Sequence, residues 1–183
     1  MRAKYGLDEG KFIILHVGSI KKKRDIQVLP GLQGGESQVL IVGSESIKTE
    51  QKLYRELSEK GCLVWRTYFD HIEEIYALAD CYIFPIIRKT ACIELPLSVM
   101  EAMSCNLPVI STRFGALTRI FDEGDGLFFV DSEEVLGQKL NEVKHKTLEV
   151  KTREKVLLYS WDEVVARLEE IYQALFPDDA EGQ

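Results

Sequence analysis

Two carboxylates and a run of cations carry the chemistry legible in this sequence. Glu94 and Glu101 stand seven residues apart in CIELPLSVMEAMSCNLPVI, and Lys21-Lys22-Lys23-Arg24 follows Gly18 in HVGSIKKKRD. A carboxylate on a helix can accept hydrogen bonds from two vicinal hydroxyls, which is what a ribose presents. Seven residues is nearly two helical turns, so both acids can share the ligand-facing side if Glu94 caps or just precedes the helix. Cations after a glycine turn suit phosphate. Gly18 lets the backbone come close, amides there and at the next helix start face an anion, and one or two of the cations neutralise a diphosphate. Amides around Leu95 to Ser98 complement the same diphosphate, at about 1 kcal/mol per favourable contact. Tyr68 and Phe69 can stack on or line a base, or pack into the core. The cation run can also be a solvated loop, and Glu101 a surface acid paired with a nearby cation. Its place directly after Gly18, in an otherwise acidic chain, favours the anion.

These residues need elements to position them. FIILHV at 12–17 reads as a strand covered on both faces, closed by Gly18. Further short apolar runs at 39–42, 62–65, 81–85, 109–112 and 127–130 read as five more strands. Helices are predicted over 47–60, 71–79, 97–104, 133–146 and 161–175, with shorter ones at 25–32 and 115–121. Strands alternating with helices predict an α/β chain with a parallel, doubly wound, Rossmann-like sheet. Ligands of such sheets bind where the strands' carboxyl ends empty into loops, which is where Gly18 and the 92–96 loop lie. The chain is read as one domain over 1–183, with a linker-like start at 1–11 and a polar tail at 177–183 expected to be disordered.

Composition narrows the function. The 183 residues carry a net charge of −7, against nucleic-acid binding, and 45% hydrophobic residues without a run long enough to span a membrane. No secretory signal opens the sequence, and Cys62, Cys81, Cys92 and Cys105 lack CxxC spacing, so the reading is cytoplasmic, with no metal and no cofactor. Only Gly18 stands where a dinucleotide site needs GxGxxG. His16 and His71 read as structural, His145 is given no role, and no Ser-His-Asp set is legible.

EAMSCNLPVISTRFGAL resembles the EAMACGLPVIATDVGG signature of the retaining glycosyltransferases of group 1, or family 4, type, in their C-terminal, nucleotide-sugar-binding domain. HVGSI, QVLIVG, FDHIEEIYALADCYIFP and FDEGDGLFFV follow in the family's order, so the resemblance covers most of the chain. It implies half of a GT-B fold that binds a UDP- or GDP-sugar and transfers the sugar, with retention, to an acceptor hydroxyl. The N-terminal domain of such an enzyme is missing from this sequence and would be a partner. Lipid-linked acceptors are common in the family, which leaves peripheral association with a membrane surface open. The resemblance places the donor diphosphate on Gly18, Ser19, Lys23, Arg24, Leu97 and Ser98, the ribose on Glu101, and the base on Tyr68 and Phe69. Ile93, Glu94, Leu95 and Pro96 are placed on the donor sugar. Two positions depart from the pattern. Ser19 stands where the family has an Arg, with Arg24 at the family's Lys, and Ile93 stands where the family has its first Glu, with Glu94 one step late. Those departures leave two alternatives: a nucleotide-sugar-binding module that does not turn over, and an epimerase of the same architecture.

Overall fold

The computed structural model describes residues 1–45 and 49–176. Six strands, β1 (Phe12–Val17), β2 (Ser37–Gly43), β3 (Leu63–Arg66), β4 (Cys81–Phe84), β5 (Val109–Thr112) and β6 (Leu127–Val130), form one sheet in the order 3-2-1-4-5-6. All neighbours run parallel. The order reverses between β1 and β4, and a crevice opens at their carboxyl ends, as such sheets require. The fold is Rossmann-like.

A parallel sheet survives in water only if both faces are covered, and here two apolar layers do so. Ile13, Leu15, Tyr82, Phe84 and Val109 face α2 (Ile72–Tyr76) and α3 (Leu97–Ser104). Ile14, Ile41, Ile83 and Ile110 face α1 (Gln51–Glu59) and α5 (Glu133–His145). Single-residue alternation along each strand explains why uninterrupted runs such as FIILHV are needed.

Several boundaries differ from the sequence reading. The stretch 25–32 is a 3-10 helix over Ile26–Leu32, since Pro30 inside it removes a donor. α2 stops at Tyr76 rather than Ala79 because the amides of Leu78 and Ala79 bond three residues back, not four. Ile47, the expected first residue of the 47–60 helix, and the tail from Pro177 lie outside the described residues. α4 (Leu117–Ile120) is a single turn, and α6 (Thr152–Val156) was not expected. α7 (Trp161–Leu175) matches its expected span but buries nothing: Trp161, Val164, Leu168, Ile171 and Leu175 are all exposed. Among the described residues, no helix is long and apolar enough to cross a membrane.

Candidate functional site

The site is built where β1 and β4 end. A cleft of about 620 Å³ opens there, walled by Gly18, Ser19, Arg24, Gly43, Tyr68, Phe69, Cys92 and Ile93, among others. After Gly18 the chain makes a 3-10 turn over Lys22–Arg24, which leaves Lys22 and Lys23 exposed and folds Arg24 inward. Arg24 is only 8% exposed. Its Nη1 donates to the Ala91 carbonyl at 3.1 Å, and its Nε has no partner. Among the described residues no carboxylate comes within ion-pair distance of this buried cation in the cleft wall. A β-carbon at Gly18 would sit 2.6 Å from Arg24 Nη2, so a larger residue there has to displace the guanidinium.

The opposite wall comes from the loop into α3. Pro96 starts that helix without a side-chain cap, whereas Ser132 and Ser160 cap α5 and α7. The first-turn amides of α3, at Leu97 and Ser98, therefore receive no side-chain cap. The Tyr82 hydroxyl lies 2.8 Å from Ser98 Oγ and 3.4 Å from the Val17 carbonyl, which holds that turn against the end of β1. One turn on, Glu101 is half-buried, and its Oε2 accepts from the Tyr76 hydroxyl at 2.6 Å. Arg24 and Glu101 act on Tyr82 with opposite sign, the first lowering and the second raising its pKa, while burial pushes it up most. Tyr76 and Tyr82 tie Glu101 and Ser98 to the end of β1, while the lining of the cleft itself takes in Arg24 and not Leu97, Ser98 or Glu101.

The remaining expected residues take distinct positions. Ile93 is exposed in the cleft wall. The Glu94 side chain is 70% exposed with its carboxylate 3.9 Å from Arg119 Nη2, and its carbonyl accepts from the Ala116 amide at 2.9 Å. Leu95 packs on the core, Pro96 is buried and Leu97 is exposed. Tyr68 is 78% exposed at the cleft, free to meet a planar ligand, while Phe69 packs edge-on to Tyr5 and tilted against Trp65. Ser19 is half-buried in the wall and brings no charge. Among the described residues no group of three His, Cys, Asp or Glu side chains could hold a metal.

His16 is the structural residue its strand suggested, with a consequence for pH. It is fully buried, and its Nδ1 donates to the Ile83 carbonyl at 2.9 Å, so Nε2 is a bare acceptor with no partner. Burial, and secondarily the Arg24 charge, push its pKa down to about 4 against the bond to Ile83. The unfolded chain binds this proton near pH 6.5 and the folded one does not, so stability is complete above that value and falls as pH drops from 6.5 toward 4. Between pH 7 and pH 5 the loss is about 2 kcal/mol. Urea unfolding at both pH values is expected to show it, and His16→Gln, which keeps a donor for Ile83, should remove that part of the slope. Parallel profiles would exclude His16 as the cause.

The chain is 22% identical to N-acetyl-alpha-D-glucosaminyl L-malate synthase of Bacillus anthracis, in an alignment covering 100% of this chain and 51% of that protein. Sucrose-phosphate synthase from Thermosynechococcus elongatus superposes with a TM-score of 0.79 at 21% identity, over 96% of this chain and 48% of that one. Alr3699/HepE of Anabaena, solved in complex with UDP and glucose, gives 0.75 at 16% identity, over 96% and 50%. The chain thus spans about half the length of these relatives. The family description "Glycosyl transferases group 1" matches residues 1–160, which takes in every strand, Arg24 and Glu101, and the chain belongs to that family.

Proposed function

We propose that this chain is the donor-binding half of a retaining glycosyltransferase that moves a sugar from a nucleoside diphosphate to an acceptor hydroxyl. The observation that carries the reading is Arg24: a buried guanidinium that, among the described residues, donates to the Ala91 carbonyl and meets no anion. A buried cation is costly unless paired, so the site is complete only when an anion enters the cleft. The uncapped α3 amides supply the second side of an anion cradle. The diphosphate sits between Arg24 with Gly18 and Ser19 on one side and Leu97 and Ser98 on the other. The ribose lies on Glu101 and the base against Tyr68 and Phe69, and the sugar extends toward the 93–96 loop. As the anomeric carbon leaves the diphosphate oxygen, Arg24 and the helix amides stabilise the charge that develops there. Lys23 stands outside the cleft wall, available only to the outer phosphate oxygens.

A second half completes the enzyme in this reading. The chain spans about half of its relatives, and α7 carries an uncovered apolar stripe beside a groove of about 430 Å³ lined by Leu158, Tyr159, Val164, Leu168 and Ile171. An N-terminal domain of matching apolar character would bring the acceptor and cover that face. The binding-module alternative is favoured by Ser19, which removes one cation from the cradle, and activity appearing on addition of the partner domain argues against it.

UDP tests the reading directly. At a hundredfold excess over its Kd, UDP is expected to stabilise the chain by about 2.7 kcal/mol, a rise in Tm of roughly 5–10 °C. No shift with either UDP or GDP at millimolar concentration would reject nucleotide binding.

A further inference from the structure

We propose that Tyr76 is a positioning residue for the ribose-reading carboxylate: its buried hydroxyl fixes Glu101 Oε2 and so sets the oxygen pair that selects a ribonucleotide over its deoxy forms. This rests on the reading of Glu101 as the ribose acceptor. Tyr76 closes α2, and its ring is fully buried, tilted at 44° against Tyr82 with centroids 5.9 Å apart. Its hydroxyl reaches Glu101 Oε2 at 2.6 Å and the Ser98 carbonyl at 3.3 Å. One proton cannot serve both equally, and the short contact is the charge-assisted one. Burial above all, then the neighbouring Tyr82 and Glu101, hold the phenol far above its ordinary pKa, so the proton stays on the hydroxyl as the donor.

The consequence is geometric. Glu101 is only half-buried, and a carboxylate on two free methylenes samples many rotamers. With Oε2 held from below, Oε1 makes no hydrogen bond among the described residues, and a ribose meets a single arrangement of lone pairs. The clamp spans elements that the sequence separates by 25 residues, tying α2 to α3. Ser98 takes part as well, since it receives Tyr76 on its carbonyl and Tyr82 on its hydroxyl. The ribose and diphosphate subsites thus share one scaffold of two tyrosines.

Tyr76→Phe keeps the ring and removes the donor. Calorimetric titration of the wild type and this variant with UDP, 2′,3′-dideoxyuridine diphosphate and pyrophosphate separates the possibilities. The expected result is a Kd for UDP raised about tenfold in the variant, with the other two ligands within twofold of wild type. Equal weakening of all three would make Tyr76 a packing residue, and an unchanged UDP affinity would show Glu101 held by other means; either overturns the proposal. A wild type that binds UDP and the dideoxy form alike rejects Glu101 as the ribose acceptor, and a wild type that binds none of the three rejects the nucleotide site itself. Should Tyr76→Phe not fold, Glu101→Asp withdraws the carboxylate from Tyr76 by one methylene and is expected to give the same UDP-selective loss. UDP and the dideoxy form weakened to the same extent would refute the proposal there too.

Discussion

Arg24→Met is expected to leave the chain as stable as wild type, or more so, while raising the Kd for UDP and for pyrophosphate about 10- to 100-fold. The two effects have separate causes. The guanidinium is 8% exposed, and among the described residues it bonds the Ala91 carbonyl through Nη1 and faces no carboxylate. Replacing a buried, uncompensated charge by an apolar chain of similar length relieves a desolvation cost of several kcal/mol and gives up one hydrogen bond worth about 1 kcal/mol. The bound anion loses charge-assisted bonds of about 1.5–3 kcal/mol, which sets the affinity range. Lys22 and Lys23 cannot take over, because both point to solvent on the outer side of the 3-10 turn. Urea unfolding and calorimetry on one preparation measure both effects. A variant destabilised by more than about 2 kcal/mol with UDP binding intact would make Arg24 a structural pillar instead.

Much of the fold could be read from periodicity because its strands are buried on both faces. Phe12–Val17, Val109–Thr112 and Leu127–Val130, and the helices Leu97–Ser104 and Trp161–Leu175, occupy the residues their patterns predict. What escaped was set by contacts remote in sequence. Thr152–Val156 has too few residues for a helical period, and it is held in place when Thr152 Oγ1 donates to the Leu107 carbonyl at 2.8 Å. The exposed stripe of α7 shows the other limit. An amphipathic pattern says that a face needs cover, and says nothing of whether the cover lies in the same chain.

The site was legible as residue types and less so as geometry. Lys21 to Arg24 form a row of four cations in sequence, but a turn of three residues per revolution buries one member and exposes its neighbours, a distinction no charge pattern carries. Tyr76 and Tyr82 lie within apolar segments, and the sequence reading singled out neither. The available signal was the hydroxyl: a buried Tyr, unlike a Phe, has to find an acceptor, and both of these find one on or next to the α3 edge. Ile93 and Glu94 sit side by side on a loop whose course is fixed by a residue 21 positions after Glu94. Gly115 is that residue.

Gly115→Ala is expected to cost about 3 kcal/mol or more, lowering Tm by roughly 6–12 °C, and to disorder the 92–96 loop together with the start of α3. Gly115 sits at φ +54°, and a β-carbon on it would lie 2.2 Å from the Glu94 carbonyl oxygen and 3.0 Å from the carbonyl carbon. That neighbour is backbone, so no rotamer change relieves the overlap. One strand of the loop has to move, and the bond from the Ala116 amide to the Glu94 carbonyl, 2.9 Å, breaks as it does. The left-handed conformation alone accounts for about 1 kcal/mol of the loss and the hydrogen bond for about 1 more. Gly6→Ala separates the terms: Gly6 has φ +69° and nothing within 4 Å of the added carbon, so it should show the conformational cost alone. If the two substitutions lower Tm equally, the contact with Glu94 contributes nothing and the 92–96 loop is held elsewhere. If Gly115→Ala falls well below Gly6→Ala and also weakens UDP, the course of that loop and the anion cradle at α3 are set by one glycine outside the cleft wall.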